Sequence, residues 1–421
     1  MTRKYLGLIL LSTYYFGLSL AEFITASIGG VAIDFNPSNP YSPSISSYNT
    51  TIVFEKLNGN VTELSANTSI LYQGREVGFF KFTDPAPKHI DNNKYTLRYS
   101  NIPIRISPEQ RGDFASLIKS ITQDAETTMS YSGFTEYSVD GVPADPAAYN
   151  ITHTEKGFNS FKNIPFRVRK VNIKSGTPNA LMIEMTGNMD NPTNWDIKLG
   201  DLSFSTYYRD TKIGNSTLYG LRLRSGINMI VGNLTMNSGV DAANSAGRLI
   251  RSYVEQREAS VVSVGTEEST EFELLKPAIY GVKLEAIVPG ASEKIILKGE
   301  SKAALYGGIF GRTSSRVLIN NIHEVPLNIK SIKGTILWQG KPFATVDVDI
   351  DLMVPGRSRV FSPYFKADLS ANIFSMMKVL TGPRTITVDM SLESVKMVIG
   401  EGYKMDIGMR IRDIPMTINM L

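Results

Sequence analysis

Three aromatic residues, Tyr72, Tyr208 and Trp338, recur about every 130 residues, and the sequence around each follows the same order. A repeat of that length is the size of a whole domain, so it constrains the fold more than any other feature of the chain. Ahead of each aromatic lies a segment marked by Pro or Asn: NPSNPYSPS (36–44), NMDNPTNWDIKLGDLSFS (188–205) and NNIHEVPLNIKSIKGTI (320–336). Pro pushes its predecessor into extended geometry and cannot donate to a ladder, so these segments predict strand breaks or edge crossings. Ile197 and Leu199, then Leu202 and Phe204, read as core-facing positions with a slip of register between them. Ile329, then Ile332 and Ile336, read the same way.

After each aromatic comes a turn and another alternating run: ILYQGREVGFFKF (70–82), STYYRDTKIGNSTLYG (205–220) and TILWQGKPFATVDVDIDLMVPG (335–356). In the third, Val346, Val348, Ile350 and Leu352 share one face while Asp347, Asp349 and Asp351 share the other, the mark of a half-buried antiparallel strand. Each copy then offers one helix. SPEQRGDFASLIKSI (107–121) has Ser107 as N-cap, Pro108 at the first helical position and Gln110 to complete a capping box, with Phe114, Leu117, Ile118 and Ile121 on one face. AANSAGRLIRSYVEQ (242–256) presents Leu249, Ile250, Tyr253 and Val254. DLSANIFSMMKVLTG (368–382) presents Ile373, Met376, Met377 and Leu380, with Gly382 and Pro383 to stop it. Strands follow each helix, as in 385–400 and 403–418. The expected fold is mainly β: β-sandwiches in tandem over 22–163, 164–290 and 291–421, each with one amphipathic α-helix.

The chain of 421 residues has 42% apolar and 20% charged residues, the composition of folded domains. Its net charge of +4 is spread among interleaved acids and bases, with no concentrated basic face for nucleic acid. With no cysteine, disulfides, thiolate catalysis and Cys-ligated metals are excluded. MTRK, then the apolar run Tyr5 to Leu20, then SLA before Glu22, predict a signal peptide or signal anchor over 1–21 and a lumenal or external destination for the rest. Six acceptor sequons, at Asn49, Asn60, Asn67, Asn150, Asn215 and Asn233, agree with that compartment and make N-linked glycans the expected modification.

The segments 191–214 and 325–344 resemble the group-two late-embryogenesis-abundant (water-stress and hypersensitive-response) domain: an Asn-Pro-led strand, an aromatic, a polar-Gly turn and a following strand with small residues. Val325-Pro326 stands where that phrase has Asn-Pro. The resemblance covers most of 165–421 and, more loosely, 23–163. In plan the chain is also similar to fungal proteins that carry such domains in the vacuolar lumen behind an N-terminal membrane segment. The resemblance implies immunoglobulin-like sandwiches without catalytic residues, and association with lipid or membrane.

The residues themselves offer little catalysis. His89, His153 and His323 are the only imidazoles, read as surface or capping histidines, and no GxSxG, HExxH, P-loop or dinucleotide fingerprint is present. No cofactor is expected. The Asp347, Asp349, Asp351 comb reads as a solvated face paired with Lys330 or Lys333 rather than a calcium site, since one strand wraps a cation poorly. GGIFGRTSSR (307–316) reads as a flexible link between copies. Two functions compete. In the first, Phe114, Ile118, Leu249, Tyr253, Ile373, Met376 and Met377 line an apolar groove, continuous between domains, that binds or transfers lipid. In the second, the cores are closed and the chain is a structural or adhesive glycoprotein.

Overall fold

The computed structural model describes residues 24–36, 39–54, 57, 59–91, 93–303, 312–370 and 384–420. The chain is mainly β. A first unit holds β1 (Ile24–Asn36), β2 (Asn39–Phe54), β3 (Val61–Tyr72), β4 (Arg75–Asp84), β5 (Lys88–Asp91), β6 (Lys94–Pro103), α1 (Arg111–Gln123), β7 (Glu126–Val139), β8 (Val142–Pro143) and β9 (Ala147–Lys156). A second holds β10 (Phe166–Gly176), β11 (Ala180–Asn191), β12 (Asp196–Tyr208), β13 (Thr211–Leu223), β14 (Gly226–Asn237), α2 (Val240–Val254), β15 (Ala259–Gly265), the single turn α3 (Lys276–Ile279) and β16 (Lys283–Val288). A third holds β17 (Ile296–Ala303), β18 (Arg312–Asn321), β19 (Leu327–Trp338), β20 (Lys341–Val354), β21 (Ser358–Phe361), β22 (Phe365–Leu369), β23 (Thr385–Ile399) and β24 (Tyr403–Met420).

Each repeated aromatic is the last residue of a strand, and the turn beyond it is the same in all three units. Gln73-Gly74, Arg209-Asp210 and Gln339-Gly340 all have φ between +47° and +78°. Two successive residues at positive φ make a type I′ hairpin, whose twist matches that of the flanking strands. One step into each hairpin the register slips: Leu71 pairs with Glu76 but Ile70 with Gly78, Tyr207 with Lys212 but Thr206 with Gly214, Leu337 with Pro342 but Ile336 with Ala344. The residues passed over, Val77, Ile213 and Phe343, are 0%, 0% and 4% exposed. The bulge therefore turns an apolar side chain into the core, and a small residue follows it each time.

The strand order of the second unit is that of an immunoglobulin-like sandwich. β10, β11, β14 and β13 form one side and β12, β15 and β16 the other; β12 pairs β13, and β10 pairs β16 in parallel, so the seven strands close on themselves. The third unit repeats it with β17, β18, β22 and β20 against β19, β23 and β24, again closed by a parallel pair, β17 with β24. In the first unit β1, β2 and β6 form one side and β4, β3, β7 and β9 the other. Here the parallel partner of the first strand comes from the next unit: Ala32 to Asp34 of β1 pair with Asp196 to Lys198 of β12. The cuts at 163 and 290 fall between strands, but a hydrogen-bonded sheet crosses the first of them.

The expected slips of register are present on β12, around Gly200, and on β19, between Ile329 and Ser331. The segment 107–121 is helical with the expected start: Ser107 is the N-cap, Pro108 opens the first turn and Gln110 Oε1 accepts the Ser107 backbone N–H at 2.9 Å, the first turn Pro108–Gln110 being 3-10 and Arg111–Gln123 α-helical. Two expectations need correction. The third helix does not begin at residue 368, because Phe365–Leu369 is a strand held between β18 and β20. The remainder of that segment, with Ile373, Met376 and Met377, lies outside the described residues. Residues 307–316 do not link copies, since β17 pairs with β18 from Ala303↔Thr313 onward and the segment joins two strands of one hairpin.

The two longer described helices, α1 and α2, each end on the following unit. At the end of α1, Gln123 Nε2 donates to the carbonyls of Ala278 (3.0 Å) and Tyr280 (3.2 Å), and Thr122 Oγ1 lies 3.2 Å from the Ala278 carbonyl. Just past α2, Glu255 accepts the Arg410 backbone N–H at 2.7 Å and Gln256 Nε2 donates to the Ala291 carbonyl at 3.1 Å. At the second joint the backbones nearly touch: Glu401 N–H donates to the Gly176 carbonyl at 2.6 Å, and a Cβ on Gly176 would sit 2.3 Å from the Ile399 carbonyl oxygen.

Candidate functional site

The joint between the second and third units holds an apolar cavity. α2 lays Leu249, Ile250 and Val254 inward because its apolar residues repeat at three- and four-residue steps. Gly247 lets the helix come close to β24, where a Cβ would already be 3.2 Å from Ile407 Cγ2. Against this face stand Ile183 and Met185 of β11, Leu234 and Met236 of β14, Leu392 and Val395 of β23, and Ile407, Met409 and Ile411 of β24. They leave an apolar cavity of about 90 Å³ whose only polar edges are His323 and Tyr253.

His323 is 5% exposed and sits in the turn between β18 and β19. It is a correction to the surface reading of the histidines. Its Nδ1 accepts the Ile173 backbone N–H at 3.4 Å across the joint, and its ring lies 5.7 Å from that of Tyr253. Burial holds its pKa down at about 4, so at neutral pH it is an uncharged acceptor, and burial pushes the Tyr253 phenol up to about 12. The next residue, Glu324, takes Arg357 at 2.6 Å and reaches back to Lys174 of β10 at 3.0 Å. The Arg357 hydrogen bond, then those of Lys174 and Asn172, hold its carboxyl down at about 2. The contacts of His323 with Ile173 and of Glu324 with Lys174 tie the two units together.

Of the groove residues expected from sequence, Leu249 and Tyr253 line this cavity. Phe114 and Ile118 do not: both are 0% exposed, packed in the hydrophobic core. Ile373, Met376 and Met377 lie outside the described residues. The walls contributed by β23 and β24 were missed, although the alternation of Met405, Ile407, Met409 and Ile411 was there to be read. The Asp comb faces outward on β20, with Lys330 on Asp351 and Lys333 3.8 Å from Asp347. Among the described residues no group of three or more His, Asp or Glu is placed to hold a metal ion. His89 is exposed beside Tyr95, and His153 Nε2 lies 2.9 Å from Glu155. Asn60 is exposed in the loop before β3, and Asn67, Asn150, Asn215 and Asn233 lie on outward, exposed or half-exposed strand positions. Asn49 belongs to β2, but its side chain lies outside the described residues.

A family described as "Protein of unknown function (DUF3712)" matches residues 87–206, from β5 of the first unit through most of β12 of the second. No curated protein matches the chain. Among solved structures, the chain is similar to the tetra-tandem repeat in the extending region of a large adhesion protein, at 10% identity and a TM-score of 0.19, covering 91% of this chain and 74% of that one. It is also similar to the extracellular cadherin domains 1–5 of protocadherin gamma B2, at 10% identity and a TM-score of 0.14, covering 92% and 58%. TM-scores this low establish no shared architecture. No described helix is long and apolar enough to cross a membrane.

Proposed function

We infer that this chain is a non-enzymatic protein of tandem β-sandwiches with a structural or adhesive role, in which three sandwiches act as one stiff body. The observation that carries this reading is the pair of joints. Each is sealed by the end of a helix that belongs to one unit and bonds to the next, and at the first the sheet itself runs across. Units meant to move independently are joined by exposed polar linkers, whereas these joints bury backbone and apolar surface. Five outward-facing sequon asparagines support a lumenal or extracellular setting, where an oligosaccharide needs solvent on its side of the strand. Small-angle scattering from the full chain is expected to fit a single rigid arrangement. A set of interconverting hinged arrangements would overturn the reading.

The apolar cavity favours a second reading, lipid binding, which the late-embryogenesis-abundant resemblance also implies. Its lining is right for an acyl chain and its volume is not. Ligand pockets run to roughly 300–1,000 Å³, against about 90 Å³ here, and a small apolar void of this kind stays dry without any ligand. Organic extraction of the purified protein, followed by mass spectrometry, is expected to yield no stoichiometric lipid. Lipid in equal molar amount would replace the structural reading with the second one.

A further inference from the structure

A recess of about 420 Å³ opens where the end of α2, the connection 289–295 and β24 meet, and its walls are cationic. Arg251 and Arg257 come from the helix end, Lys294 from the connection, and Arg410 and Arg412 from β24, against two carboxylates in the wall, Glu255 and Asp413. Two of the acids near these cations, Glu255 and Asp389, are already engaged, while the Asp413 carboxylate offsets part of the remaining positive charge. Glu255, with a side chain only 8% exposed, takes Arg251 Nε at 2.8 Å, Arg257 and the Arg410 backbone N–H; Asp389, behind the wall, takes Arg410 at 3.0 Å. Burial raises the Glu255 pKa, yet the hydrogen bonds from Arg251 and Arg410 outweigh it and leave the carboxyl below its usual range. Lys294 Nζ donates only to neutral carbonyls, those of Arg412 (3.0 Å) and Asp413 (3.1 Å). Among the described residues neither Lys294 nor Arg412 has a carboxylate within ion-pair distance, although the Arg412 charge still helps hold the Asp389 carboxyl down.

We propose that this recess is a binding site for a phosphate-type anion. The positive groups come from two elements, the helix end and β24 with the connection beside it, and the two whose charges have no carboxylate at ion-pair distance, Lys294 and Arg412, stand among three more cations. A tetrahedral phosphate offers acceptor oxygens in several directions, and guanidinium groups recognise it through short charge-assisted bonds. The recess is also large enough for a small ligand. Val254 and Ile411 wall it on one side and the apolar cavity on the other, so an apolar substituent on the anion would find matching surface beside the charges. The same chemistry is presented by a soluble phosphorylated compound and by the headgroup of an anionic phospholipid.

The test uses the full chain and inorganic phosphate as the probe, read as the thermal midpoint against chloride at matched ionic strength. A saturating rise is expected with phosphate alone, and Lys294→Gln with Arg412→Gln should weaken it by about tenfold or more. Neither residue binds Glu255, so the joint stays intact; Lys330→Gln with Lys333→Gln removes equal charge elsewhere and should leave the response unchanged. Phosphatidylcholine vesicles with and without phosphatidic acid separate the two sources. Flotation with the acidic vesicles that phosphate competes away and the double variant loses assigns a headgroup; saturation by phosphate without flotation assigns a soluble anion. A phosphate response no larger than that of chloride, or one that survives in Lys294→Gln/Arg412→Gln, overturns the proposal.

Discussion

Asn191 and Asn321 make three corresponding hydrogen bonds in successive units. Asn191 Nδ2 donates to the carbonyls of Trp195 (2.7 Å) and Leu223 (3.3 Å), and its Oδ1 accepts the Thr193 N–H at 2.9 Å. Asn321 Nδ2 donates to the carbonyls of Val325 (2.8 Å) and Val354 (3.3 Å), and its Oδ1 accepts the His323 N–H at 3.1 Å. Each is 1% exposed and pins the crossing from one side of its sandwich to the other. The counterpart of the Asn in Asn191-Pro192 is therefore Asn321, four residues before Val325.

Asn191→Ala and Asn321→Ala are each expected to cost about 2–4 kcal/mol, since two buried carbonyls and a buried N–H lose their partner together. Urea unfolding of the two variants checks this. Similar losses support equivalence, while a loss under about 1 kcal/mol at either position would show that water replaces the amide there.

Acidification should weaken the protein in two windows. The folded pKa of His323, about 4, lies below its ordinary 6.5, so its contribution is complete above pH 6.5 and is lost as the unfolded chain takes up the proton between pH 6.5 and 4. The loss is on the order of 3 kcal/mol. Glu324, held at about 2 against an ordinary 4.5, contributes above pH 4.5 and loses that between pH 4.5 and 2. His323→Asn keeps an acceptor near Ile173 N–H and should flatten the upper window alone, as followed by thermal midpoint against pH.

Gly176→Ala should disturb the second joint, because its Cβ would meet the Ile399 carbonyl at 2.3 Å and backbone cannot step aside as a side chain can. Overpacking of this kind costs about 1–3 kcal/mol. Hydrogen exchange should speed up at Glu401 and around residues 173–176. Gly239→Ala, where a Cβ meets nothing within 4 Å, should leave exchange at the joint as it was.

The three I′ turns predict effects of opposite sign. Gly74 and Gly340 sit at φ +78° and +75° with open space around them, so Ala at either should cost about 1 kcal/mol from the backbone alone. Asp210 occupies the equivalent place at φ +65°, and Asp210→Gly should stabilise by a few tenths to about 1 kcal/mol. Thermal midpoints of the three variants decide it; a loss with Asp210→Gly would mean that chain entropy outweighs the relief of strain.

Much of this architecture was legible because it is written in local periods. Alternation on β20 separates Val346 from Asp347, the three-and-four spacing of α2 selects Leu249 and Ile250, and the aromatic before each turn marks the end of a strand whose hairpin then follows one pattern. These features depend on residues a few positions apart, and sterics decides them within the segment. Asp368 and Leu369 show the limit: they read as the start of the third helix, but β18 and β20 took them into the strand Phe365–Leu369.

What the sequence by itself determined is the repeated sandwich, its hairpins and the amphipathic helices α1 and α2. Only the tertiary structure decided that β1 finds its parallel partner in the next unit, that His323 is buried against Ile173, and that five cations gather at the end of α2. Those pairings join residues up to about 165 positions apart, and one unit's sequence carries no record of which surface its neighbour will cover; they exist only once two folded sandwiches meet and exclude water between them.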